Sequence, residues 1–179
     1  PIGSLTQLGT IRLGKRTENR TPKINELLPL ANLDDLVFGG WDIFEDNVYE
    51  AAVRARVLDT PLLEQVEEPL SAIKPMSAVF DQNYVRRING PNTKQSKSKR
   101  ELVDALRSDI REFRQKHGCA RLVMIWCGST EVFGKPAAVH ETLASFEKGL
   151  CENDPSISPS QMYAYASLQE RVPFANGAP

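Results

Sequence analysis

Apolar side chains recur every three to four positions in several parts of the chain, which is the period of an amphipathic helix. Ser98 and Glu101 form the capping box that would start the clearest of these helices, and Gly118 supplies the residue that would end it. Its apolar face carries Leu102, Val103, Leu106, Ile110 and Phe113. Further helices are predicted over residues 47–58, 60–70 and 136–151, and from Ser158 onward.

Prolines and small polar residues mark the ends of two of these helices. Thr60 precedes Pro61, which is the preferred pair for an N-cap and a first helical position. Ser158 and Gln161 form a second capping box around Pro159. Pro69 is expected to close the helix over residues 60–70, because a proline inside a helix removes a hydrogen bond and clashes with the preceding turn.

Three stretches without helical spacing predict strands. Leu36, Val37 and Phe38 form a short apolar run that we interpret as a buried strand. The run RLVMIWCGS (121–129) is continuous enough for a strand buried on both faces of a parallel sheet, and VPFANGAP (172–179) contains the last strand. Strands alternating with helices predict the α/β class, as a Rossmann-like parallel sheet with helices on both faces.

Composition narrows the functional classes. With 41% apolar and 25% charged residues, a chain of 179 residues is typical of a globular domain and not of a disordered one. The net charge of −1 gives no basic excess for nucleic acid or an anionic membrane, and no apolar run approaches the roughly 20 residues of a membrane span. Three cysteines without a C-x-x-C pair and two histidines argue against a metal site and favour a reducing, cytoplasmic compartment.

The ends of the predicted strands carry the candidate chemistry. GGWDI (39–43), WCGSTE (126–131) and FANGAP (174–179) each combine small residues with a polar group, and ligands of open α/β sheets bind beyond the carboxyl ends of the strands. Asp42 could accept hydrogen bonds from two ribose hydroxyls, or it could only cap the following helix. Because the chain contains no G-x-G-x-x-G, these residues alone do not establish dinucleotide binding.

Other reactive or charged side chains have simpler explanations. Cys127 follows a predicted strand, but nothing places either histidine beside it, so an inert thiol is the favoured interpretation. A basic stretch within residues 86–100 would form a solvated loop or would help to bind a phosphate. Its cations are Arg86, Arg87, Lys94, Lys97, Lys99 and Arg100.

Four long motifs in order resemble the inositol-phosphate synthases, most closely the bacterial members. They are FGGWDIFEDNVYEAA (38–52), IKPMSAVFDQNYVRRINGPNT (73–93), IWCGSTEVF (125–133) and SPSQMYAYASLQERVPFANGAP (158–179). The resemblance implies an NAD-binding Rossmann domain over residues 1–179, in a homotetrameric isomerase of inositol and phospholipid biosynthesis. Its substrate would be glucose 6-phosphate. From the charge balance and the cysteine and histidine pattern we expect no metal ligand within this chain and no nucleic-acid or membrane partner.

The resemblance also implies a set of cofactor-binding residues. Asp42 matches the family acid that contacts the ribose, and the segments 77–81 and 128–131 match loops close to the cofactor. Asn176 and Gly177 match the loop that leads into the active site. The complete set is Gly40, Asp42, Ser77, Asp81, Gly128, Ser129, Thr130, Asn176 and Gly177.

Two parts of the family pattern are missing from the chain. The glycine-rich phosphate loop is expected upstream of PIGSLTQL, and the catalytic lysines are expected downstream of Pro179. We therefore expect an internal piece of a longer protein that is inactive by itself.

The reaction that the resemblance implies has four steps. C5 of the sugar phosphate is oxidised to a ketone, the ketone is enolised, an intramolecular aldol step closes the ring, and the ketone is then reduced again. The alternatives are a dehydrogenase that releases NADH and a non-catalytic nucleotide-binding module.

Overall fold

The computed structural model describes residue 7 and residues 9–178, and it divides the chain into two compact units at the junction of Phe38 and Gly39. Backbone hydrogen bonds connect the described segments of the first unit, for example from Ile11 to Pro22 and from Ile24 to Gly9. Thr10 pairs with Lys23 in an isolated antiparallel bridge, after which α1 spans Ile24–Leu27. Short 3₁₀ turns lie at Arg16–Glu18 and Leu33–Asp35. The undecided segment 4–13 falls partly outside the described residues.

The prediction of a buried strand at residues 36–38 was wrong. Leu36, Val37 and Phe38 have no strand geometry, and their side chains are 42%, 44% and 61% exposed. A run of only three apolar residues fits a surface segment as well as a strand, because it contains too few positions to define a period. The strand begins later, at Trp41.

The second unit alternates strands with helices, as predicted. In chain order its elements are β1 (Trp41–Asp42), α2 (Val48–Ala55), α3 (Thr60–Glu64), α4 (Glu67–Ser71), β2 (Met76–Ser77), α5 (Lys99–Lys116), β3 (Met124–Trp126), α6 (Leu143–Glu152), α7 (Pro159–Gln169) and β4 (Phe174–Asn176). β1 pairs with β2 and β3 pairs with β4, both in parallel. The predicted parallel α/β arrangement is confirmed, with the described strands forming two pairs in place of one continuous ladder.

The capping signals located the helix starts well. The Ser98 hydroxyl accepts the Glu101 backbone N–H at 3.2 Å, and the Ser158 hydroxyl accepts that of Gln161 at 3.4 Å. Gly118 adopts a φ of +60° just after α5, which is the left-handed conformation expected of a helix stop. These signals are local hydrogen-bond chemistry, so they can be read from neighbouring residues alone.

Two helix predictions needed correction. The segment 60–70 contains two short helices, because Val66 leaves the helical region (φ −122°, ψ 15°) and Pro69 then lies in the first turn of α4. A proline is tolerated there because the first N–H groups of a helix have no partner within the helix. The segment 136–151 contains a 3₁₀ turn at Ala138–His140, and α6 starts only after Thr142, whose hydroxyl accepts the Ser145 N–H at 3.0 Å.

The core lies between α5, α6 and α7. Val103, Leu106 and Leu150 are completely buried in it. Burial of a leucine stabilises the fold by about 1.5–3 kcal/mol. The buried Ser167 hydroxyl donates to the Val172 carbonyl at 2.8 Å, so this buried polar group is satisfied. Within the described part of the chain, no helix is long and apolar enough to cross a bilayer.

The strand predicted over residues 121–129 is shorter and more exposed than expected. β3 covers Met124–Trp126. Ile125 in this strand is 63% exposed, and Val123, which precedes the strand, is 68% exposed. The exposed side chains face a cleft, which the next section describes. The prediction of burial on both faces was therefore wrong for the described chain.

Candidate functional site

The carboxyl ends of β1 and β3 border a large, mainly apolar cleft of about 530 Å³. Residues 39–44 line one wall and residues 122–129 line the other, while Tyr163 of α7 contributes to the floor. The Tyr163 ring centroid lies 5.2 Å from that of Trp41 and 5.3 Å from that of Trp126, so one aromatic side chain contacts both walls. The cleft extends along both strands, because residues before, within and after β1 and β3 line it. Asp42 and residues 127–129 lie at the carboxyl ends of these strands, where ligands of α/β sheets bind.

The two adjacent glycines have different structural roles. A Cβ atom added to Gly39 would come within 2.5 Å of the Phe113 ring, so this glycine permits close packing against α5. A Cβ atom added to Gly40 would meet no atom within 4 Å, and Gly40 lines the cleft. Gly39 is thus explained by packing, whereas Gly40 leaves open space just before Trp41. The two glycines therefore precede β1, and the prediction that they follow a strand was wrong because the strand starts later than the apolar run.

Asp42 lines the cleft, and one of its two carboxylate oxygens accepts a hydrogen bond. Its Oδ1 accepts the backbone N–H of Phe44 at 2.9 Å, which closes a local turn. Helix α2 is capped instead by Asn47, whose Oδ1 accepts the Glu50 N–H at 2.9 Å. Among the described residues no donor bonds to Oδ2 of Asp42. The carboxylate therefore combines a structural role in the turn with a free acceptor toward solvent.

The Trp41 side chain is held in place by the carboxylate of Asp109 in helix α5. Its indole Nε1–H donates to Oδ2 of Asp109 at 2.6 Å, and Lys94 Nζ lies 2.8 Å from the same oxygen. Tyr163 supports the same region, since its hydroxyl accepts the Val79 N–H at 2.8 Å. Burial raises the pKa of Tyr163 above its ordinary value, so the hydroxyl remains neutral at physiological pH.

Asn92 joins the ends of β1 and β2, although sequence reasoning did not select it. Its Nδ2 donates to the Asp42 carbonyl at 2.9 Å, and its Oδ1 accepts the Ser77 hydroxyl at 2.7 Å. Its backbone N–H donates to the Ile43 carbonyl at 2.9 Å, and its carbonyl accepts the Ala78 N–H at 3.0 Å. The loop containing Asn92 thus connects the residues around Asp42 and Ser77. No local pattern signals this role, because the partners lie 15 and 50 positions away.

The loop after β3 is attached to the start of α7. Glu131 accepts the Ser160 backbone N–H at 2.9 Å with Oε1, and it accepts the Ser160 hydroxyl at 2.6 Å with Oε2. A carboxylate is favourable at this position because the N-terminus of a helix carries partial positive charge. Gly128 and Ser129 line the large cleft, and Ser129 also lines a smaller neighbouring cleft together with Thr130.

The remaining predicted site residues lie beside the large cleft and do not line it. Ser77 is the strand partner of Asp42. Asp81 accepts the N–H and the side-chain amide of Asn83, each at 2.9 Å. Asn176 pairs with Trp126 in the sheet, and the Gly177 N–H donates to the Trp126 carbonyl at 2.8 Å.

Comparison with known proteins identifies the family. The model of the NAD-binding family described as myo-inositol-1-phosphate synthase matches residues 2–179. The chain belongs to this family. It is 47% identical over 181 residues to inositol-3-phosphate synthase 1 of Bacteroides thetaiotaomicron, covering 100% of this chain and 41% of that protein. The synthase of Mesembryanthemum crystallinum is 38% identical over 186 residues, with 99% of this chain and 36% of that protein covered.

A solved structure supports the same assignment at the level of the fold. The crystal structure of inositol-3-phosphate synthase from Caenorhabditis elegans superposes with a TM-score of 0.89 at 27% sequence identity. The match covers 99% of this chain and 36% of that one. This member of the myo-inositol-1-phosphate synthase family thus spans about two fifths of the length of the relatives that it matches. The similarity and the parallel strand pairs agree with the predicted Rossmann-like α/β fold, as a partial domain.

Cys127 and the two histidines of this synthase-family chain lie in different surroundings. Cys127 lines the large cleft as a free thiol, but the imidazole of His117 lies 4.8 Å from the Phe113 ring, and Nδ1 of His140 accepts the Ala137 N–H at 3.0 Å. Among the residues that the structure describes, no group of three or more His, Cys, Asp or Glu side chains is positioned to hold a metal ion.

Proposed function

We propose that residues 1–179 form the cofactor-holding part of an NAD-dependent enzyme that cyclises glucose 6-phosphate to myo-inositol phosphate. The observation that carries this proposal is the arrangement of Gly40, Asp42, Gly128 and Ser129 around one cleft, in a chain of the myo-inositol-1-phosphate synthase family. The nearly apolar walls suit a planar ring, and the free carboxylate oxygen at the mouth suits a ribose.

The residues of the cleft fit part of a dinucleotide. Oδ2 of Asp42 would accept hydrogen bonds from ribose hydroxyls while Oδ1 keeps the turn at Phe44 in place. Gly40 leaves room for the sugar, and the segment 128–130 would approach with backbone N–H groups. When bound, the cofactor would accept a hydride from the substrate and later return it. The work of this chain would be to bind and orient the reactant against the apolar walls of the cleft.

The charge needed for the enolisation step must come from other residues. A developing enolate oxygen is stabilised by well-placed cations or hydrogen-bond donors. Among the described residues that line the large cleft, none is a lysine, arginine or histidine. The family resemblance supports catalytic lysines outside residues 1–179, and we infer that this chain alone is inactive. The family resemblance supports a cytoplasmic homotetramer, and three free cysteines agree with a reducing compartment.

The test incubates the protein at its natural length with glucose 6-phosphate and NAD and follows the products by phosphorus and proton NMR. We expect inositol phosphate to form without net NADH, because the cofactor is regenerated in each turnover. Accumulation of NADH with an oxidised sugar would favour an ordinary dehydrogenase. If the sugar phosphate stays unchanged while NAD still binds, the chain belongs to a nucleotide-binding module without this activity.

A further inference from the structure

Asp109 is a charged side chain of the core helix α5 that is not among the described residues lining the large cleft. Its side chain is only 17% exposed, as is that of Lys94, whose Nζ lies 2.8 Å from Oδ2 of Asp109. The same oxygen accepts the indole N–H of Trp41 at 2.6 Å. Both distances are typical of charge-assisted hydrogen bonds. One carboxylate oxygen thus joins α5 to two segments that are far apart along the chain.

Both partners of Asp109 are directly connected to Asp42. Trp41 precedes Asp42 in β1. Lys94 follows shortly after Asn92, whose Nδ2 donates to the Asp42 carbonyl at 2.9 Å. Asp109 is therefore connected to Asp42 from two sides, through the strand and through the loop that contains Asn92.

The surroundings of Tyr163 show that these groups form one cluster. Its ring meets the Trp41 ring edge-on, with the centroids 5.2 Å apart and the planes at 68°. Burial is the main cause of the raised pKa of Tyr163, and the negative charges of Asp109 and Asp42 raise it further. Both carboxylates are thus close enough to act on one hydroxyl. The indole of Trp41 is held between the Tyr163 ring and Asp109.

The buried charge pair is better explained by orientation than by stability. Removing two charges from water is costly, and apolar side chains of the same volume often stabilise a fold as well as a buried ion pair does. Hydrogen bonds to a charged group, in contrast, fix direction as well as distance. Oδ2 of Asp109 must meet the indole N–H and the Lys94 ammonium group together, so it fixes both side chains relative to α5.

We propose that Asp109 is a positioning residue of the cofactor site, which holds Asp42 through Trp41 and Lys94 in the place where its carboxylate meets the ribose. The proposal rests on the proposed function, in which Oδ2 of Asp42 accepts the ribose hydroxyls. Without the Asp109 charge, the Lys94 ammonium group loses its counterion and the indole loses its charged acceptor. Asp42 can then shift, and a displacement of about 1 Å takes a hydrogen bond out of its favourable range.

The first test measures NAD binding by calorimetry in the protein at its natural length. Asp109→Asn keeps the size of the side chain and removes its charge, and we expect the Kd of NAD to rise about 3- to 10-fold. The matched control is Asp104→Asn, on the same helix, because the Asp104 carboxylate pairs with Arg100 and Arg107 and lines neither cleft. The control should bind NAD as the unaltered protein does. An unchanged Kd in Asp109→Asn would overturn the positioning role.

A second variant approaches the same link from the strand. Trp41→Phe keeps an aromatic ring against Tyr163 but has no N–H to donate to Asp109. We expect it to weaken NAD binding, and we expect the double variant with Asp109→Asn to bind no more weakly than the weaker single variant. Such non-additivity is typical of residues that act through one contact. Fully additive losses would show that Asp109 does not act through Trp41.

A double-mutant cycle tests whether Asp109 acts through Asp42. Asp42→Ala removes the carboxylate that Asp109 is proposed to position, so Asp109→Asn should cause no further rise in the Kd of NAD in this background. Its effect on Tm should be the same with and without Asp42, because the bonds to Trp41 and Lys94 are lost in both cases. An equal rise in Kd in both backgrounds would show a general effect on the fold and would refute the proposal.

Kinetics give a readout that a general loosening of the fold would change differently. An effect confined to the ribose contact raises KM for NAD and leaves kcat and KM for glucose 6-phosphate within about twofold. A fall in kcat together with a rise in both KM values would contradict a role limited to Asp42.

The outcomes also separate this proposal from the proposed function. If the unaltered protein cyclises glucose 6-phosphate and Asp42→Ala weakens NAD binding while Asp109→Asn does not, the positioning role fails and the proposed function stands. If the unaltered protein binds NAD without cyclising the sugar, and the cycle with Asp42 is non-additive as expected, the positioning role is supported and the proposed activity fails.

Discussion

Replacement of Asn92 by alanine should loosen the ends of β1 and β2 without unfolding the core. The substitution removes the 2.9 Å bond from Nδ2 to the Asp42 carbonyl and the 2.7 Å bond from the Ser77 hydroxyl to Oδ1. Both backbone hydrogen bonds of Asn92, to Ile43 and from Ala78, can persist. The variant therefore isolates the contribution of the side chain to the arrangement of the two strand ends.

The structure gives the size of the effect. Each hydrogen bond of this kind contributes about 1 kcal/mol net, so the loss of both lowers the free energy of local opening by about 2 kcal/mol. That corresponds to about 30-fold faster hydrogen exchange at amides protected by this loop. The reporters are the backbone N–H groups of Ala78 and Asn92, which donate to Asn92 and Ile43 respectively. Exchange is measured by NMR or by mass spectrometry of peptides covering residues 76–94, in the protein at its natural length.

Two further variants make the test selective. Asn89→Ala removes an exposed asparagine three positions earlier in the same loop, and exchange should be unchanged. Asn92→Asp keeps the acceptor for Ser77 but places a carboxylate oxygen near the Asp42 carbonyl, so exchange should be at least as fast as in the alanine variant. If the alanine variant exchanges at the original rate, Asn92 does not hold the strand ends and this reasoning fails.

The remaining predictions concern the cofactor, the core and pH. Asp42→Ala should weaken NAD binding by about 1–3 kcal/mol through the loss of a hydrogen-bonded charge, as measured by calorimetry; unchanged affinity would remove Asp42 from the site. Leu106→Ala, at a fully buried position, should lower the free energy of unfolding by about 2–5 kcal/mol, whereas Leu168→Ala, at a side chain 66% exposed, should cost much less; equal midpoints in urea would contradict the assigned core. Burial and the hydrogen bond to Glu147 raise the pKa of Tyr165 from 10.0 to about 12, so the stability it contributes is complete below pH 10 and is lost as pH rises toward 12. Tyr165→Phe should therefore show a shallower fall in Tm between these pH values, and an unchanged slope would count against the raised pKa.

Asp42 and Gly40 show how a short motif can serve structure and ligand together. The carboxylate closes a turn through Oδ1 and keeps Oδ2 free, so the capping interpretation and the ribose interpretation do not exclude each other. Gly39 and Gly40 have one role each. Gly39 allows close packing on Phe113, and Gly40 leaves open space in the cleft. Binding measurements on variants of Gly40 and Asp42 would thus report on the ligand, whereas variants of Gly39 would report on packing.

The sequence by itself determined the α/β class, the main helix starts and the position of the last two strands. These features depend on neighbours. Ser158 and Gln161 satisfy each other's backbone groups within one turn, whereas at Ser98 only half of the predicted box forms, because the Glu101 carboxylate accepts the Lys97 N–H. The helical spacing of apolar residues over 18 positions likewise predicted α5 correctly, because this spacing is a property of neighbouring residues. The predictions failed where the pattern was short, as at residues 36–38. They also failed at Pro69, because a proline is compatible both with the end of one helix and with the first turn of the next.

Only the tertiary structure decided which residues meet at the cleft. The Asn92 side chain reaches Ser77 and Asp42 across 15 and 50 positions, and Glu131 reaches Ser160 across 29. Likewise, Arg86 and Arg87 share a cleft with Ser129 and Thr130 because two loops are joined by one backbone hydrogen bond. Such contacts are set by the packing of whole elements. A single sequence contains no periodic or local signal for them, because the residues that meet are far apart along the chain.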